Sequence, residues 1–285
     1  MLSKGGNIAS AGFVNALCLV ILLLNRIMGF YVRSINLGGA GTIMKKTICG
    51  ILLLALFGGF TYLVRTFDVA AIGPQGTEVG FSHLNQRVHD LTGVNMQWYE
   101  HTDLLGYAAI GIAALFAVAG LIQLIRRKSL FAVDREILAL GLLFIVVIGL
   151  YIGFEKFIIN YRPIIMPGET YPEASYPSSH TMLIVTVFGA TMMLIRRYFG
   201  KGFISGLLRL VCLAVILVTV GGRLYCGVHW FTDIVGGLLL SMGLLEIFGG
   251  IISGGKRNKG AAKTAQENVS DVKAAVDTGG YAPKH

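Results

Sequence analysis

The sequence predicts an all-α membrane protein, a six-transmembrane-helix bundle. Three observations carry that reading. The chain of 285 residues is 54% hydrophobic and only 14% charged, where a soluble globular domain carries about 25% charge. Its mean hydropathy of +0.70 also excludes disorder, which needs little apolar content and much charge. Six apolar runs approach or exceed the ~18 residues that mark a spanning helix, and basic residues gather at alternate junctions between them.

The elements follow in chain order. Residues 1–43 fit the pattern poorly, because the apolar run over 11–24 is interrupted by Asn25 and Arg26 and is short for a span. Two readings stand for this segment. Either it precedes a start at Met44, whose Lys45 and Lys46 lead into a long apolar run, or it forms a seventh, weak helix. Residues 44–253 hold the spans, at about 47–66, 104–125, 136–155, 180–195, 203–221 and 233–253. The fourth is short as counted and is expected to begin a few residues earlier. Residues 67–103 form the longest outer loop. Within it Phe81, Leu84, Val88 and Leu91 have the spacing of an interfacial amphipathic helix. His83, His89 and His101 read as solvated loop histidines, since their spacing matches no metal motif. Residues 254–285 read as a flexible, polar cytoplasmic tail.

Charge sets the orientation. Lys45, Lys46, Arg126, Arg127, Lys128, Arg196, Arg197, Lys201, Lys256, Arg257 and Lys259 all fall on one side, which is expected to be cytoplasmic. They account for much of the net charge of +9, so nucleic acid is not an expected partner. Lys156, Arg162 and Arg223 lie on the opposite, outer side, against the trend. A bound anion explains them. Cys18, Cys49, Cys212 and Cys226 form no CxxC pair and read as buried small hydrophobes.

Three outer segments carry the chemistry. The first runs from Glu155 and Lys156 to Arg162 and Pro163, the second from Tyr176 to Thr181, and the third from Gly222 and Arg223 to His229 and Asp233. The topology puts all three on one membrane face. Arginine offers a planar fork that matches phosphate oxygens, and lysine offers a point charge. Pro177-Ser178-Ser179 reads as a helix start capped by a serine, whose free N–H groups and dipole favour an anion. His180 lies in that first turn. His229 and Asp233 are four apart and share a helix face, so the carboxylate can fix the ring tautomer and leave the other nitrogen to attack. Two histidines, one with a carboxylate, plus three cations suit phosphoryl transfer through a phosphohistidine.

These segments resemble the motifs of the type 2 phosphatidic acid phosphatase superfamily of membrane lipid phosphatases: Lys-x6-Arg-Pro, Pro-Ser-Gly-His and Ser-Arg-x5-His-x3-Asp. The resemblance covers about residues 44–253. It implies that His229 is the nucleophile, Asp233 its orienting partner and His180 the general acid. It implies that Lys156, Arg162, Ser178 and Arg223 hold the phosphate, with Ser179 adding a backbone N–H. It implies no metal or other cofactor. The expected activity is hydrolysis of a lipid phosphomonoester or pyrophosphate at the outer face of the cell membrane. Undecaprenyl pyrophosphate, phosphatidylglycerol phosphate and phosphatidic acid are the candidate substrates. The alternatives are a lipid phosphotransferase and a catalytically silent lipid-binding membrane protein. The sequence departs from the pattern at three places: Ser179 stands for glycine, Gly222 stands for serine, and five residues rather than six separate Lys156 from Arg162. On a regular helix that shorter step turns Lys156 and Arg162 apart.

Overall fold

A computed structural model describes residues 40–253 of the chain. The expected N-terminal extension or extra helix and the expected tail lie outside them, apart from residues 40–43. Among the described residues seven α-helices follow in order: α1 (Ala40–Thr66), α2 (Ser82–Thr92), α3 (Met96–Arg127), α4 (Arg135–Lys156), α5 (Ser179–Phe199), α6 (Phe203–Tyr225) and α7 (Phe231–Ser253). All but α2 are long and apolar enough to cross a membrane, so the chain is a multi-pass membrane protein. Among the described residues there are two isolated β-bridges and no strands.

The helix limits follow local chemistry. Asn95 caps α3 by accepting from the Trp98 N–H at 3.2 Å. Its far end carries Arg126 and Arg127 and stops at Lys128 in the left-handed region. Lys and Arg there complement the negative end of the helix dipole. Ser178 caps α5, its Oγ accepting from the Thr181 N–H at 3.4 Å, so this span starts one residue before its apolar run. α5 and α7 form the centre of the bundle, with 67% and 61% of their apolar windows buried against 6% for α3. That explains why α5 is the hardest span to see: it packs on protein rather than lipid and tolerates Thr181, Thr186 and Thr191.

α1 and α7 cross at Gly50 and Gly243. A Cβ on Gly50 would lie 2.9 Å from the Gly243 carbonyl oxygen, so two glycines let the backbones touch. Nearby, Lys46 and Glu246 are both buried and interact electrostatically. Lys46 is therefore a partner inside the bundle rather than a headgroup anchor, since a buried charge is stable only when compensated.

The outer end is where the site forms. The 157–178 connection folds back on itself, with Arg162 N–H donating to the Glu173 carbonyl and Ser175 N–H to the Asn160 carbonyl, both at 2.9 Å. The expected amphipathic helix is α2. Asp68 holds its start, accepting from the His83 N–H at 3.0 Å. Phe81 and Val88 pack against the core, whereas Leu84 and Leu91 are exposed. Buried Asn85 donates to Thr232 Oγ1 at 2.9 Å and accepts from the Thr232 N–H at 3.1 Å. α2 is thus docked on the start of α7. His89 is not a wet loop residue: its ring packs 5.5 Å from Trp230.

Candidate active site

The site is built where α5 and α7 begin and α6 ends. α7 starts with a capping arrangement in which Asp233 Oδ2 reaches back to the Trp230 N–H at 2.9 Å. The other oxygen, Oδ1, accepts from Asn160 Nδ2 at 3.4 Å. Asp233 is completely buried. Its Oδ2 lies 3.6 Å from His229 Nδ1, which is beyond a hydrogen bond. The two groups face each other across a gap; catalytic hydrogen bonds often tighten only in the complex with substrate.

His229 Nε2, the far nitrogen, lies 3.4 Å from Arg162 Nη1. Burial first, and then the Arg162 and Arg223 guanidiniums, hold the ring's proton affinity well below that of an ordinary imidazole. The ring is therefore neutral at physiological pH, and Nε2 carries an electron pair that faces Arg162. Any acid loss of activity caused by protonating His229 must then lie well below pH 6.5. A kcat/KM profile that stays level from pH 7.5 to 6.5 is the expected result; an acid limb centred near pH 6.5 and assigned to His229 contradicts it.

Arg162 is fixed by its Nε donating to Glu173 Oε2 at 2.9 Å. Arg223 is 1% exposed, with its guanidinium carbon 4.7 Å from the Tyr99 ring centre. Its Nη2 donates to Asp103 Oδ1 at 3.2 Å, while Nε and Nη1 are buried without an acceptor among the described residues. Two unpaired buried donors on a cation are costly unless an anion arrives. The Ser179 and His180 N–H groups, in the first turn of α5, also find no acceptor among the described residues, as the helix geometry requires. His180 Nε2 lies 2.8 Å from Asp103 Oδ1.

The fold thus gathers Arg162, Ser178, Ser179, His180, Arg223, His229 and Asp233 at one end of the bundle. Lys156 is different. It is the last residue of α4, is exposed, and its side chain forms no ion pair or hydrogen bond among the described residues. The helix ends there, so the short Lys156–Arg162 step is not read on a helix at all. Ser178 Oγ is committed to its cap, leaving its O–H to donate.

Two residues that sequence reasoning missed complete the site. Asn160 holds Asp233, and Asp103 bridges His180 and Arg223. A carboxylate placed just where an apolar run begins was the available signal for Asp103. Gly222 also has an explanation, because a Cβ there would lie 2.5 Å from Thr102 Cγ2, which is buried. Gly222→Ser is therefore expected to overpack the α3–α6 contact and to cost about 1–3 kcal/mol. A lowered melting temperature in detergent checks this; an unchanged one contradicts it.

Comparison with known proteins bears on the fold. Residues 137–249, most of the stretch from α4 to α7, match the PAP2 superfamily family model, in line with the resemblance seen in the motifs. No curated protein sequence matches the chain. The fold is similar to the crystal structure of the first transmembrane PAP2 type phosphatidylglycerolphosphate phosphatase from Bacillus subtilis. The TM-score is 0.51 at 18% identity, over 74% of this chain and 96% of that one. The protein thus has the fold of a PAP2 membrane phosphatase.

Proposed function

We propose that the protein is a lipid phosphatase that works through a phosphohistidine on His229, without a metal, at the extracytoplasmic membrane face. The observation that carries this is the pairing of a buried, neutral His229, its Nε2 beside Arg162, with an Arg223 whose two free donors await an anion. A phosphate between the two guanidiniums sits within reach of His229 Nε2, the Ser178 O–H and the free N–H groups of α5. The exposed Lys156, at the outer end of α4, adds positive charge on the same membrane face.

In the first step the His229 Nε2 electron pair attacks phosphorus. The bond from phosphorus to the lipid oxygen breaks, and that oxygen takes its electron pair and a proton from His180. In the second step water attacks phosphorus and gives its proton to His180, and the electrons of the P–N bond return to His229. Arg162 and Arg223 hold the equatorial oxygens throughout; such preorganised charge is often the largest catalytic term.

A lipid rather than a soluble ester is favoured by a cavity of about 530 Å³ between α3, α4 and α5. Asp103 and His180 stand at its head, and Ile110, Phe144, Val147 and Leu183 line its walls. A hydrocarbon tail lying there keeps its phosphate at the site. Phosphatidylglycerol phosphate, the substrate class named for the similar Bacillus structure, joins undecaprenyl pyrophosphate and phosphatidic acid as the substrates to offer.

Phosphate release from these three lipids by detergent-purified protein in EDTA tests the reading. Release from at least one of them supports it and ranks the substrates. No release from any, by folded protein, overturns it.

A further inference from the structure

We infer that Asp103 is a positioning residue for the general acid: it holds one ring nitrogen of His180 and leaves the other to exchange protons with the substrate. This rests on the phosphatase reading above. Asp103 stands near the start of α3, outside the matched segment 137–249, so the motifs of α4 to α7 do not supply it.

The geometry is specific. Asp103 Oδ1 lies 2.8 Å from His180 Nε2, closer than Asp233 lies to His229, at 3.6 Å. Gly106, on the same face of α3 one turn on, completes the cradle. A Cβ there would lie 3.0 Å from His180 Cδ2 and 3.1 Å from Nε2. α3 therefore presents His180 with a carboxylate and a gap shaped for the ring. A carboxylate on one imidazole nitrogen fixes the tautomer and so decides which nitrogen does the chemistry. With Nε2–H donated to Asp103, Nδ1 carries the working proton.

The proton inventory then closes. As the bond from phosphorus to the lipid oxygen breaks, that oxygen keeps the electron pair and receives the Nδ1 proton. His180 is left neutral, still donating Nε2–H to Asp103, with an electron pair on Nδ1. In the second step Nδ1 takes a proton from the attacking water and is ready for the next turnover. The site thus holds two histidine–carboxylate pairs, one for the nucleophile and one for the acid.

Asp103 also accepts from Arg223 at 3.2 Å, so it could act only by holding that cation. The leaving group separates the two roles. An alkoxide needs a proton as it leaves; a nitrophenolate does not. The probes are dodecyl phosphate and a dodecyl-substituted nitrophenyl phosphate, which share a tail and differ in the leaving oxygen. Asp103→Asn is expected to lower kcat on the alkyl ester about 10²-fold, the scale of general acid catalysis, with a loss at least about tenfold smaller on the aryl ester. In a His180→Asn background the same change is expected to add little, because the two residues act as a unit.

Equal losses on the two esters, or a full further loss in the His180→Asn background, overturn the inference. If Asp103→Asn does not fold, Gly106→Ala crowds the same ring nitrogen and is expected to give the same ester-selective loss; equal losses there overturn it likewise. Wild-type protein that releases phosphate from neither ester overturns the phosphatase reading itself.

Discussion

His229→Ala is expected to abolish turnover, lowering kcat by about 10⁶-fold, the scale on which an enzyme loses its nucleophile. The reason lies in where the residue stands. Its ring is buried at the start of α7, kept neutral by burial and by two guanidiniums. No other neutral nitrogen in the site combines that burial with a position beside Arg162. The fold is expected to survive the change, because the ring's polar partners are few: a long contact to Arg162, the Ser175 backbone, and Asp233 across a gap. A melting curve close to wild type, together with lost phosphate release, is the expected pair of results. Retained turnover contradicts the nucleophile assignment.

Asp233→Asn is expected to lower kcat about 10³-fold. A buried aspartate-to-asparagine change beside a catalytic histidine costs roughly 10⁴-fold when the two are hydrogen-bonded, because the amide enforces the wrong tautomer. Here the pair rests at 3.6 Å, so the coupling is weaker until substrate draws it together. The same carboxylate accepts from Trp230 and Asn160, so an amide must give up one of these acceptor roles. A loss below tenfold means that Asp233 is a helix cap and does not orient His229.

Much of this was legible in the sequence, for reasons that differ by element. Six spans show because lipid-facing helices must be apolar all round. α5 was the exception, because protein surrounds it. Arg162, His180, Arg223, His229 and Asp233 show because each breaks a rule: cations on the wrong side of the membrane, ionisable groups at span ends. Asp103 broke the same rule more quietly. Its partners His180 and Arg223 are far away in sequence, and no local spacing joins them. Asn160 is an ordinary loop amide until the 157–178 connection folds over Asp233. The short step from Lys156 to Arg162 is a puzzle only if helix continues between them, and α4 stops at Lys156. Gly222 is small because Thr102 packs against it from another helix, a contact that no local pattern encodes.

On the proposed mechanism phosphorus passes through His229. The direct measurement is to mix the protein with lipid phosphate labelled in its phosphoryl group, quench in alkali within one turnover, and locate the label by peptide mass spectrometry. The expected result is an alkali-stable, acid-labile phosphoryl group on the peptide carrying His229, absent from His229→Ala. Label found on any other residue, or turnover without any labelled peptide at times when single-turnover kinetics require the intermediate to be populated, contradicts it.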